Sequence, residues 1–368
     1  MNSIEKRCMK SFTIASIIIM LLCSCLPVQA CSSFAYYGDQ TLYGMNWDYY
    51  TGYDATIFIK TIDDIKVFNV FNKDGYDFTG MNTNGLFAAQ QMVTPEEKPG
   101  FIQNQANAEL ETISMKDLYS TSLYKFSEIG EINEFMQNKR VTHTMVEHHT
   151  MFADKSGSAQ VVEVGKDKNM ITSIQDKFII MTNFMNYYYA DTDYKKIVAR
   201  GSDRYIAGYD FMLENIDTFD FAKGMEMLKA MKCEETGFYT LCSFLYKPET
   251  DCVYVAVNRD FDKIWKISIW EETAETFKGF ESPMKIKIDG SIKLSDLKEL
   301  TYYNPQTLEA FENKFIVKPA SNIELNETSK MYHRQAGQKK IFYIAIGIFL
   351  IGLPCIILFS KRRRAKTG

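Results

Sequence analysis

Polar and apolar positions divide this chain into short strand-like runs, interrupted twice by helical ones. Residues 33–37 and 41–49 are strand-like and rich in aromatics, and Gly38-Asp39 between them is turn chemistry, so the two read as a hairpin. Further strands are expected at 56–61, 65–72 and 86–92. The period then changes. Residues 115–126 bring Leu118, Tyr119 and Leu123 to one side and 129–136 have similar spacing, which predicts two helices. Strands return at 144–153, 159–164 and 177–182. Residues 203–214 and 221–231 are helical, the second carrying Phe221, Met225, Leu228 and Met231 on one face. Runs at 239–246, 252–258 and 263–269 complete the series as strands. This order predicts a layered α+β domain with antiparallel sheets. From about residue 275 to 338 the chain is polar, with little periodicity after Leu300.

Two segments stand outside that pattern. Residues 1–30 have the form of a secretory signal peptide: Lys6, Arg7 and Lys10 lead, residues 12–22 are apolar, and Val28-Gln29-Ala30 is a small-residue cleavage site. Residues 341–359 are apolar over roughly the 20 residues that a spanning helix requires. Lys361-Arg362-Arg363-Arg364 and Lys366 follow, which places the C-terminus inside and the main domain outside. The expected organisation is therefore a signal peptide at 1–30, a domain at 31–300, a stalk at 301–340, a transmembrane helix at 341–359 and a basic cytoplasmic tail at 360–368. The protein is expected to sit in the cell membrane as a single-pass chain, its large domain on the extracellular face.

Composition narrows the chemistry. The 368 residues are 46% hydrophobic, enough for a large core, and the net charge of −4 comes from interspersed acids and bases, which argues against a nucleic-acid partner. Of eight cysteines, Cys8, Cys23 and Cys25 fall in the leader and Cys355 in the C-terminal apolar segment. Cys31, Cys233, Cys242 and Cys252 remain, too few for a disulfide scaffold, with room for one bridge among the last three. Cleavage after Ala30 makes Cys31 the mature N-terminus, with a thiol and an α-amine on one residue. An amine titrating near about 7.7–8.0 can serve that thiol as a general base in nucleophilic amide chemistry. The alternative is a bacterial lipoprotein cysteine, but a spanning helix already anchors the chain, which favours the nucleophile.

The order of motifs after Cys31 resembles the choloylglycine hydrolase and penicillin V acylase family, related to acid ceramidase and isopenicillin N acyltransferase. That family's Gly-Arg-Asn-x-Asp corresponds to Gly44-Met45-Asn46-Trp47-Asp48, its Asn-x-x-Gly-Leu to Asn82-Thr83-Asn84-Gly85-Leu86, and its Asp-x-x-Gly and Val-Val-Glu to Asp154–Gly157 and Val161-Val162-Glu163. Its Thr-Asn pair corresponds to Thr182-Asn183, and a later arginine to Arg204. The resemblance covers roughly residues 31–270. It implies an αββα four-layer sandwich of the N-terminal-nucleophile hydrolases, and hydrolysis of linear non-peptide amides, with a small-molecule N-acyl amide as substrate and no cofactor.

The same resemblance gives the catalytic set as Cys31, Asp48, Asn183 and Arg204. Cys31 attacks the carbonyl, Asp48 orients the ammonium or thiol, Asn183 donates to the oxyanion, and Arg204 fixes Cys31 or a nearby carboxylate. Asn82 is a turn residue with at most a supporting role. Two positions depart from the pattern. Met45 replaces the arginine, which leaves a non-catalytic or acyltransferase surface protein as the alternative. Gln90-Gln91-Met92 stands where bile-salt hydrolases carry a Leu-Asn pair contributing to the oxyanion site. Trp47, Phe87 and Tyr187-Tyr188-Tyr189 are expected near the cleft, for an apolar acyl group. His143, Glu147, His148 and His149 lack metal-site spacing, since adjacent strand residues face opposite sides, and no metal is expected.

Overall fold

The structure is a computed structural model that describes residues 30–94, 110–143, 146–235 and 237–302. The strands of the first half are β1 (Ala30–Tyr37), β2 (Thr41–Tyr50), β3 (Ala55–Ile62), β4 (Ile65–Asn72), β5 (Asp77–Asn82), β6 (Phe87–Met92), β7 (Glu111–Ser114), β8 (Lys139–Thr142) and β9 (His148–Ala153). They are followed by β10 (Ala159–Val164), β11 (Asn169–Ser173), β12 (Phe178–Met181), β13 (Glu234–Glu235), β14 (Phe238–Lys247) and β15 (Cys252–Val257). The last four are β16 (Ile264–Ser268), β17 (Thr273–Lys278), β18 (Lys285–Lys287) and β19 (Ser291–Lys293). The α-helices are α1 (Met115–Lys125), α2 (Ile129–Met136), α3 (Asn186–Tyr189), α4 (Ser202–Asn215), α5 (Phe221–Ala230) and α6 (Leu294–Thr301).

The strands form two large antiparallel sheets. The first runs β12-β1-β2-β14-β15-β16-β17-β18, with β13 beside β14, and the second runs β11-β10-β9-β6-β5-β4-β3-β19. A small parallel pair, β7 and β8, stands apart. Side chains alternate across a strand, and β2 shows what this does. Tyr43, Met45, Trp47 and Tyr49 enter the core between the sheets, with Phe68, Phe87, Phe244 and Trp265. Leu42 faces the other way, where Phe34, Ile180 and Leu245 pack on Met212 of α4 and Met225 and Leu228 of α5. The outer face of the second sheet packs Val67, Leu86, Phe152 and Val162 against Leu118 and Leu123 of α1 and Ile132 of α2. Each sheet thus carries a helix layer on its outer face.

Asn46 ties the first of these layers together. Its Nδ2 donates to the Leu228 carbonyl at 2.8 Å, at the end of α5, and its Oδ1 accepts from the Ser243 hydroxyl at 2.7 Å. Asn46→Ala leaves two buried polar partners unsatisfied and is expected to lower stability by about 1–3 kcal/mol in urea unfolding.

Two sequence expectations change here. The polar stretch after residue 275 is not featureless up to 302: β17, β18, β19 and α6 lie in it. Leu294, Leu297 and Leu300 of α6 close the core between the sheets, and Trp265 Nε1 donates to Thr301 Oγ1 at 2.9 Å. Trp47 and Phe87 do not line a cleft. Trp47 stacks on Phe78 and Tyr49, and Phe87 stacks on Tyr43, all inside the inter-sheet core. Cys233, Cys242 and Cys252 form no bridge, and each is a buried free thiol. Among the described residues no helix is long and apolar enough to cross a membrane. The expected leader up to residue 29, and the stalk from 303, spanning helix and tail, lie outside the described residues.

Candidate active site

The hairpin β1–β2 brings two of the four expected residues together. Ala30 is in register with Asp48 and Cys31 with Trp47, so Cys31 and Asp48 are diagonal neighbours. Strand alternation sends their side chains to opposite faces. The Cys31 side chain belongs to the inter-sheet core, whereas Asp48 lies on the helix-covered side, where α4 reaches it. Among the described residues the thiol's hydrogen-bond contact is the backbone oxygen of Asp48, at 4.0 Å.

Arg204, in the first turn of α4, joins the rest. Its Nη1 donates to the Cys31 carbonyl oxygen at 2.6 Å and to Asp48 Oδ2 at 3.2 Å, and its Nη2 donates to Asn183 Oδ1 at 2.6 Å. A guanidinium only donates, which fixes Asn183 with its oxygen towards Arg204. The same oxygen accepts from the Cys31 backbone nitrogen at 3.3 Å. Asn183 Nδ2 donates to the Met92 carbonyl at 2.8 Å. One of its amide hydrogens therefore serves the second sheet. Gly201 makes this convergence sterically possible. It has φ of +76°, and a Cβ there would lie 2.8 Å from Arg204 Nη2 and 3.2 Å from the Asn183 nitrogen.

Thr240 is a further member that the sequence did not indicate. Its hydroxyl donates to Asp48 Oδ1 at 2.5 Å and accepts the backbone N–H of Cys233 at 2.8 Å. Only its register opposite Asp48 on the neighbouring strand identifies it. Met45, in place of the family arginine, is fully buried between the sheets. The cation at the site comes instead from the helix side, as Arg204. Asn82 is a turn anchor: its oxygen accepts from Asn84 and Leu86 N–H groups and its amide donates to the Leu123 and Phe126 carbonyls.

Burial governs the charges. Asp48 is pushed up to about 7 by desolvation, against the opposing pull of Arg204 and the Thr240 hydroxyl. Desolvation, and next the Asp48 charge, push the Cys31 thiol far above its ordinary range. With Ala30 still attached, the thiol is 1% exposed and its backbone nitrogen is an amide. Burial and the raised proton affinity keep the sulfur a protonated thiol in this form. Among the described residues no three His, Cys, Asp or Glu side chains are placed to hold a metal ion.

The histidines at and just before the start of β9 give a pH signature. Burial, then the neighbouring histidines, push His148 down to about 3 and His143 to about 4, with Arg140 adding to the effect on His143. Unfolded histidine binds a proton near about 6.5. Stability from these two is full above that pH and is lost as pH falls towards 4–3. Asp48 has the opposite sign: its raised folded value makes burial increasingly unfavourable as pH rises from about 4 to 7. The unfolding free energy from urea titrations is expected to fall between about pH 6.5 and 4.5, by about 2–3 kcal/mol for His148 alone. His148→Asn should flatten that slope, and an unchanged slope would show that His148 is protonated in the fold.

No protein-family model matches this sequence, and no curated protein matches it. Solved structures do. Penicillin V acylase from Agrobacterium tumefaciens superposes with a TM-score of 0.50 at 14% identity, over 67% of this chain and 91% of that one. A mutant of conjugated bile acid hydrolase from Clostridium perfringens gives 0.52 at 15% identity, over 70% of this chain and 96% of that one. At these identities the likeness establishes the fold. It is the fold of the family whose motif order the sequence resembles.

Proposed function

We propose that the domain at 31–300 hydrolyses linear non-peptide amides of the N-acyl amide class, through a thioester on Cys31. What carries this reading is the convergence of Asn183 Oδ1 on the Cys31 nitrogen and of Arg204 on the Cys31 carbonyl and Asp48. Those bonds grip both ends of the residue that cleavage after Ala30 turns into a free N-terminus. Signal peptidase releases the α-amine, and Asn183 Oδ1 then faces it as a hydrogen-bond acceptor. The amine takes the thiol proton while the sulfur attacks the acyl carbon; the C–N bond breaks and the proton goes to the departing amine. Water, deprotonated by the same amine, then opens the thioester to the carboxylic acid and regenerates the thiol. Asp48, held by Arg204 and Thr240, supplies negative charge behind the N-terminus. The hydrolase fold of the two similar structures, one a penicillin V acylase and the other a conjugated bile acid hydrolase, supports the reaction class.

In the same reading the chain is a single-pass membrane protein with this domain outside, joined through a stalk at 301–340 to a helix at 341–359 and a basic tail at 360–368. The second reading is a non-catalytic protein on this fold, which draws on Met45 in place of an arginine in the motif, or an acyltransferase, in which an amine in place of water captures the thioester. Intact mass of the mature chain and turnover of a panel of N-acyl amides separate them. A free Cys31 amine with release of both the amine and the free carboxylic acid supports the hydrolase. A lipid adduct on Cys31, or no turnover across the panel, overturns it.

A further inference from the structure

From the contacts around His149 we infer that the buried Glu163–His149 pair is a positioning device for Asn183, a role that rests on the hydrolase reading above. His149 and Glu163 lie on the adjacent strands β9 and β10, and both side chains are fully buried. His149 Nδ1 is 2.9 Å from Glu163 Oε1, and Nε2 is 2.7 Å from the Thr182 carbonyl oxygen. A carbonyl only accepts, so Nε2 carries a hydrogen and the ring acts as a donor there. The Glu163 carboxyl is itself fixed, since Oε1 accepts the Asn186 N–H at 2.8 Å and Oε2 the Tyr187 N–H at 2.9 Å.

The Thr182 oxygen takes a second donor, Gln91 Nε2, at 2.5 Å. Two side chains of the second sheet thus hold one peptide oxygen at the end of a strand of the first. That peptide is the Thr182–Asn183 link, and Asn183 is the residue whose oxygen meets the Cys31 nitrogen and Arg204. The same turn is also tied through the Asn183 carbonyl, which accepts the Thr94 N–H at 2.8 Å, and through Asn183 Nδ2 on the Met92 carbonyl, so the Thr182 oxygen is one of the points that set where Asn183 presents its acceptor to the amine. Buried hydrogen-bonded pairs behind a working residue supply rigidity. Neither His149 nor Glu163 contacts Cys31, so both are positioning residues. The charged or titratable groups that act on the thiol are Asp48, Arg204 and Cys233, and of these Arg204 bonds Asn183 Oδ1, which is the route by which a change at 149 reaches the thiol.

The test uses the mature full-length protein with three variants. His149→Phe removes the donor, His149→Gln keeps an amide donor of similar reach, and Gln91→Met removes the other donor should His149→Phe fail to fold. Two readouts are taken: kcat and KM on the best N-acyl amide, and the pH profile of Cys31 alkylation by iodoacetamide followed by mass. His149→Phe is expected to lower kcat at least thirtyfold with KM within threefold, and to move the alkylation midpoint by one pH unit or more. His149→Gln is expected to recover both to within a few-fold of wild type. If His149→Phe leaves both readouts unchanged, or Gln fails to rescue while melting temperatures match, the inference falls. If wild type turns over no amide but the alkylation midpoint still moves and is rescued, the hydrolase reading falls and the positioning role stands.

Discussion

Cys31→Ala in the mature protein is expected to abolish release of amine from N-acyl amides, by at least about a thousandfold in kcat, with the melting temperature little changed. The size of the effect follows from the sulfur being the bond-forming atom. The small structural cost follows from position: residue 31 lies in β1 between β12 and β2, and its backbone bonds to Asn183 and Arg204 survive the substitution. A companion experiment separates thiol from amine. A chain whose leader is not removed keeps the thiol but ties its nitrogen into a peptide bond, with the sulfur 1% exposed. It is expected to be as inactive as Cys31→Ala and to resist alkylation unless unfolded. Wild-type rates from either protein would show that the chemistry lies elsewhere.

Arg204→Met is expected to have the largest effect on stability. Arg204 and Asp48 are 6% and 0% exposed in their side chains, and removing the guanidinium leaves the Asp48 carboxyl buried without its counter-charge and takes one donor each from the Cys31 carbonyl and Asn183 Oδ1. Breaking a buried pair from one side costs about 3–5 kcal/mol. Asp48→Asn should cost less, because a neutral amide needs no counter-charge, and Arg204→Met combined with Asp48→Asn should recover part of the loss. A coupling of about 1 kcal/mol or more in that double-mutant cycle is the expected signature. Arg204→Lys should not rescue, since one ammonium cannot hold three acceptors that a planar fork reaches from two nitrogens. Additive losses would mean that the pair is not interacting in solution. Activity should fall with stability in every arm, as the same bonds hold the N-terminal residue.

Much of the architecture was legible because strand and helix periods are local. β4, β10 and α2 start and end at the residues where the hydrophobic pattern places them, and α1, α4 and α5 differ by a residue or so at their ends. β5 was invisible for a definite reason. Its centre is Gly80, where a Cβ would meet the Phe68 carbonyl oxygen at 2.6 Å, so close strand packing selects a residue that reads as a breaker. β17, β18 and β19 are short and polar on their exposed sides, and α6 is eight residues long, so none carries enough pattern to stand out. Aromatic residues misled in the other direction: Trp47 and Phe87 carry the same signal whether they line a cleft or fill the space between two sheets.

By itself the sequence determined most of the strand and helix segments and the motif order in which Cys31, Asp48, Asn183 and Arg204 stand. Those are properties of near neighbours and of residue type. Only the tertiary structure decided that Arg204 grips the carbonyl of Cys31 rather than its sulfur, that Thr240 completes the Asp48 pocket, and that His149 and Glu163 stand behind Asn183. These depend on strand register and on which face each side chain takes. A shift of one residue inverts that face, and the register is set by contacts spanning more than a hundred residues of chain.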